Sequence, residues 1–259
     1  MTDSVQRFLL EDLDIRGAVV RLGPVWQSLL AGRGYPAPVS ELLGQMSATT
    51  LLIAGNLKQP GRITFQLRGS GPVALLVIDC TEELHIRGMA TCAEDAGAIQ
   101  PGSTPDLLGH GQLLLSLDLP SMREPYQSFV PLDGENIAEI FEHYLKQSEQ
   151  QPSRLFLAAD DTGAAGLFLQ KLPGADERDA DGWARIEQLA ATVKAEELLN
   201  LDAAELLTRL FHEETVRVFE PRPVVHDCPE DWGKVRAMLR SLGRTDRKST
   251  RLNSSHGII

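Results

Sequence analysis

The chain has 259 residues, 42% apolar and 24% charged, enough for a well-buried core in one or two domains. Its 25 basic and 36 acidic residues leave a formal net charge of −11, which argues against general adhesion to nucleic acid or to an anionic membrane. No apolar run approaches the roughly 18 residues of a membrane-spanning helix. The N-terminal MTDSVQRFLLEDLD carries acids where a secretory signal carries bases, so a cytoplasmic protein is expected. In a reducing compartment the odd count of Cys80, Cys92 and Cys228 argues against a disulfide framework.

Residues 16–31 read as a short helix on the core, with Pro24 near its start and Val25, Leu29 and Leu30 on one face. A longer helix follows over residues 38–57, where Leu42, Leu43, Met46, Thr50, Ile53 and Leu57 recur at helical spacing and the opposite face is small or apolar. Apolarity all round marks a central, buried helix. After Pro60-Gly61 the period becomes two: Ile63, Phe65 and Leu67 alternate with Thr64, Gln66 and Arg68. Gly69-Ser70-Gly71-Pro72 turns the chain into residues 73–78, and residues 85–90 extend a meander. Leu113, Leu115 and Leu117 alternate again, and residues 126–130 supply a further strand. A helix over residues 135–148 carries Ile137, Ile140, Phe141, Tyr144 and Leu145, and residues 154–158 and 166–172 flank the hairpin turn Asp160-Asp161-Thr162-Gly163. This order predicts an α+β fold, an antiparallel sheet domain with a buried central helix.

Composition shifts over residues 173–182, PGADERDADG, where a domain boundary or linker is placed. Beyond it Ile186, Leu189, Ala190 and Val193 form a helical stripe. Asp202 is placed to cap a helix carrying Leu206, Leu207, Leu210 and Phe211, with Glu205 at the capping-box position. Residues 194–228 thus read as two amphipathic helices and a strand leading to Cys228.

Several residue groups have the chemistry of a site without its spacing. Gly69-Ser70-Gly71 is followed by no helix and reads as a turn. His212-Glu213-Glu214 lacks the second histidine of a metalloprotease helix, since position 216 is Val. His226-Asp227-Cys228 holds the residue types of a nucleophilic triad, but neighbours in an extended segment point to alternate faces. Cys80 and Cys92 read as small core residues. A cysteine- and histidine-dependent hydrolase or transferase, and a scaffold for one folded partner, stand as alternative functions.

The segments RGAVVRL, YPAPVSELLGQMSATTLLIAGNLK, ITFQLRGSGPV, RLFLAA, KAEELLNL and LLTRLFHEETVRVFEP, followed by Cys228, resemble in order the Hsp33 family of redox-regulated chaperones over residues 5–243. The resemblance implies a non-enzymatic, ATP-independent holdase that binds unfolding proteins under oxidative stress and forms a homodimer on activation. It also implies a client-binding domain over residues 1–173, a helical redox-sensitive linker over 174–227, and a C-terminal domain whose four cysteines hold zinc. Those cysteines fall as a C-x-C pair and a later C-x-x-C. Here Cys228 matches the first ligand, Glu230 stands at the second, and no C-x-x-C follows, so residues 228–244 are a remnant of the zinc domain and no stable zinc binding is expected. DRKSTRLNSSH, within a tail over 245–259, resembles one reading frame of a sequencing-library adapter.

Overall fold

The computed structural model describes residues 2–57, 61–93 and 97–226. The chain divides into two units, Met1–His226 and Asp227–Ile259. The second unit lies outside the described residues, and with it Cys228, Glu230 and the adapter-like tail.

A hairpin opens the chain, β1 (Ser4–Leu10) and β2 (Ile15–Leu22), followed by α1 (Pro24–Leu30) and α2 (Ala37–Ala54). Strands β3 (Arg62–Gly69), β4 (Val73–Thr81) and β5 (His85–Cys92) form the expected meander, and after α3 (Thr104–Leu108) come β6 (Gly111–Asp118) and β7 (Tyr126–Pro131). Helix α4 (Ile137–Glu149) leads to the hairpin β8 (Ser153–Ala159) and β9 (Ala164–Lys171). Short helices α5 (Ala175–Arg178), α6 (Gly182–Ala190), α7 (Ala195–Asn200) and α8 (Ala203–Phe211) precede β10 (Val216–Val218), β11 (Arg222–Pro223) and β12 (Val225–His226).

Two sheets result, one in the order β10-β1-β2-β9-β8 with β11 also on β1, the other in the order β12-β5-β4-β3-β6-β7. Pairing is antiparallel except for β12 on β5. The α+β class with antiparallel sheets is as predicted.

The buried central helix is α2, which packs on β8 and β9 of one sheet and on β4 and β5 of the other. Its placement between two apolar surfaces explains the lack of a polar face. The buried hydroxyls of Ser47 and Thr50 are satisfied inside the helix, donating to the Leu43 and Met46 carbonyls at 2.7 and 2.8 Å. Gly44 allows the helix to approach the sheet closely, because a Cβ there would lie 2.5 Å from the Cβ of Ala159. Helix α4 closes this core with Phe141, edge-on to Phe65 of β3 at 4.8 Å between ring centroids.

The structure differs from the sequence expectation at the N-terminus. Residues 15–22 are strand, and the helix expected over 16–31 begins only at Pro24. Both faces of β2 are covered, so Ile15, Ala18, Val19, Val20 and Leu22 are all buried and the alternation that signals a strand is erased.

Candidate functional site

The first sheet is apolar on both faces. Val5, Ala18, Val20, Ala164 and Phe168 face the core built on α2. Phe8, Leu10, Ile15, Val19, Ala165, Leu167 and Leu169 belong to a second cluster on the other face. Strand β9 therefore has no polar side except at its end, and Ala164 to Gln170 are all buried. An exposed sheet face of this composition would be a hydrophobic patch of the kind monomeric proteins seldom leave uncovered.

Three short helices cover it. Ile186 and Ala190 of α6, Leu198 of α7 and Leu206, Leu207, Leu210 and Phe211 of α8 complete the second cluster. The ring of Phe211 lies 6.2 Å from that of Phe8. Gly17, directly across from Phe8 on β2, leaves room for this packing: a Cβ there would meet the Phe8 ring at 2.2 Å and the Phe168 carbonyl at 2.7 Å. Asp202 caps α8 as expected, accepting the Glu205 amide at 2.8 Å.

Helices this short are not stable alone. The 4 buried residues of α8 therefore hold it only through their packing on the sheet. Polar ties add to it at α6 and α7, where Arg21 of β2 donates to the carbonyl of Leu199 at 2.9 Å and Arg154 of β8 pairs with Glu187. Among the described residues, no hydrogen bond or ion pair joins an α8 side chain to the sheet, although Arg209 pairs with Glu197 of α7 at 2.5 Å.

Arg154 also binds Glu142 of α4 at 2.8 Å, and the three side chains line a cleft of about 490 Å³ beside Val193 and Leu198. Burial is the main influence on Glu142 and holds its carboxyl above its ordinary range, although the Leu155 amide and Arg154 pull the other way. The folded-state pKa thus exceeds the unfolded one. Glu142 then favours the folded state most below its unfolded pKa, and that contribution is lost as the pH rises through the folded pKa. Glu142→Gln is expected to remove this part of the pH dependence. Urea unfolding at pH steps upward from the ordinary 4.5 checks it, and an unchanged slope would count against the assignment.

A family model described as "Hsp33 protein" matches residues 3–258. The chain belongs to the Hsp33 family. It is 40% identical over 257 residues to the 33 kDa chaperonin of Nitrosococcus oceani, covering 99% of this chain and 86% of that protein. It is 41% identical over 249 residues to the 33 kDa chaperonin of Pseudomonas paraeruginosa, covering 95% and 83% respectively. The crystal structure of the 33 kDa chaperonin from Thermotoga maritima has the same fold, with a TM-score of 0.83 at 21% identity over 98% of this chain and 89% of that one.

Zinc, which membership of the Hsp33 family implies for full-length members, does not fit the residues on view. No group of three or more His, Cys, Asp or Glu side chains among the described residues is arranged to hold a metal ion. Cys80 and Cys92 sit at opposite ends of the β4–β5 hairpin, across from Ile86 and Val73. Burial, reinforced by Asp79, pushes the Cys80 thiol up to about 12, so it stays protonated and unreactive. Cys80 is in the core as expected, and Cys92 is packed against it and half-buried.

Of the histidine groups, Asp227 and Cys228 lie outside the described residues. His212 is exposed at the end of α8, 3.8 Å from Glu213, and His226 lies on β12. No helix among the described residues is long and apolar enough to cross a membrane. Sequence reasoning found the covering stripe on α8 but missed the receiving face formed by Phe8, Leu10, Ile15 and Val19. The glycine of RGAVV, opposite an aromatic residue, was its one available signal.

Proposed function

We propose that this chain is a redox-regulated, ATP-independent holdase that binds unfolding proteins and keeps them from aggregating. The observation that carries this reading is the apolar sheet face held under three marginal helices. In the docked state that face is closed. Displacing α6–α8 opens two apolar surfaces at once, the sheet residues Phe8, Leu10, Ile15, Val19, Leu167 and Leu169 and the helical stripe of Leu206, Leu207, Leu210 and Phe211. Such area binds non-native chains without regard to their sequence.

In this reading residues 1–173 are the client-binding body and 174–227 the linker. Residues 228–244 are a zinc-domain remnant with Cys228 and Glu230 at the first two ligand positions, and 245–259 are a tail. The redox trigger belongs to the residues from Cys228 onward, because Cys80 is buried and inert and is separated from Cys92 by the length of a hairpin. The chain acts as a binding protein in the cytoplasm, with homodimer formation on activation, and not as an enzyme.

Light scattering of a heat-unfolding client tests the proposal. Peroxide-treated chain is expected to suppress aggregation near equimolar ratio, without ATP, and to ignore the same client when folded. Absence of suppression contradicts the reading, and a stoichiometric complex with one folded protein would favour the scaffold alternative.

A further inference from the structure

The segment after α8 fills an edge of each sheet. β10 and β11 lie antiparallel on β1, setting Val218 against Phe8 and Arg222 against Val5, while β12 lies parallel on β5 with Val225 against His85. The pairing is sparse, with strands of 3, 2 and 2 residues on edges 7 and 8 residues long. Val224 is buried, but Val218, Phe219 and Val225 are 40%, 40% and 43% exposed, so backbone pairing holds the strap together with a few side-chain ties, Arg217 to Glu11, Arg222 to the Glu82 carbonyl and Arg7 over the Phe219 ring. The amides of Phe219, Val224 and Val225 donate to the carbonyls of Arg7, Asp3 and Leu84 at 2.9, 3.0 and 3.1 Å.

We infer that the β1 and β5 edges are a binding site for extended segments of non-native polypeptides, taken up by strand addition when residues 216–226 leave. The inference rests on the holdase reading and adds how the partner is recognised. A strand edge offers N–H and C=O groups that any extended chain satisfies, because every sequence carries the same backbone. A folded protein has already paired those groups, whereas an unfolding one has not. The strap itself shows that both edges accept an extended chain, antiparallel on β1 and parallel on β5. The same segment joins α8 to Asp227, so release of the helices loosens the occupant of both edges. Apolar surface then gives affinity, and the edges select extended backbone.

The probe is a fluorescein-labelled Val/Thr-rich peptide of about eight residues, a typical strand length. Its twin carries N-methyl groups on alternate residues, which keeps every side chain and removes the donors along one edge. In the full chain, Phe219→Pro with Val225→Pro deletes the donors to Arg7 and Leu84 and truncates two part-exposed side chains, the Phe219 ring under Arg7 among them. Phe219→Ser with Val225→Ser makes the same truncations and keeps the amides. Anisotropy is expected to show about tenfold tighter binding of the plain peptide by the proline variant than by the parent or the serine variant. About tenfold or more is expected to be lost with the methylated twin.

Equal binding of the two peptides overturns the inference, as does no gain on loosening the strap. Val225→Pro alone, confined to β12, carries the same comparisons if the double variant does not fold. Suppression of client aggregation by a variant that binds both peptides equally leaves the holdase reading standing and removes the edge site. Absence of suppression by parent and variant alike removes the holdase reading itself.

Discussion

Phe211→Ala is expected to make the reduced chain a holdase that needs no oxidant. Phe211 is 1% exposed and packs on Phe8, so its truncation costs about 3–5 kcal/mol. The same loss deep in the body of a domain would lower global stability. At α8 it falls on a short element held by its apolar stripe, with no side-chain hydrogen bond or ion pair to the sheet among the described residues, so it shifts the local equilibrium from docked to open. Light scattering with a heat-unfolding client, and faster amide exchange in Ala203–Phe211 with β3 to β6 unchanged, would bear this out. A variant that keeps α8 protected and remains inactive when reduced would count against it.

Phe65→Ala is expected to cost a similar amount with a different outcome. Phe65 is fully buried between α2 and α4 and meets Phe141 at 4.8 Å, in the core between the sheets. The loss of about 3–5 kcal/mol is expected to appear as a lower urea midpoint for the whole unit Met1–His226. Holding activity in the reduced state at moderate temperature is expected to stay at the parent level, because the helices over the sheet are not touched. The pair of variants separates stability from regulation. If Phe65→Ala activates as strongly as Phe211→Ala, activity follows global unfolding and the docked helices have no special role.

The contrast between these two sites also explains what could be read from the sequence. The second sheet was legible because one of its faces is buried and the other is not, so Ile63, Phe65 and Leu67 alternate cleanly with Thr64, Gln66 and Arg68. α8 was legible for the same reason, with its stripe on one side and Asp202 as its cap. α2 was recognised by the lack of any polar face, and its position between two sheets accounts for that. The first sheet was not legible at β2, because a strand covered on both sides loses its period. The receiving face of the site was therefore hidden, although each of its residues is ordinary. The edge pairing of 216–226 left only a faint trace, the stiff Pro221-Arg222-Pro223, since strands of two or three residues are fixed by the sheets they join.

Hydrogen exchange of the chain while it holds an unfolded client is the most direct test of the account. Amides of α6–α8 are expected to lose protection in the client-bound state while those of β3, β4 and β6 stay protected. A client-bound chain in which α8 remains as protected as in the resting protein would contradict it.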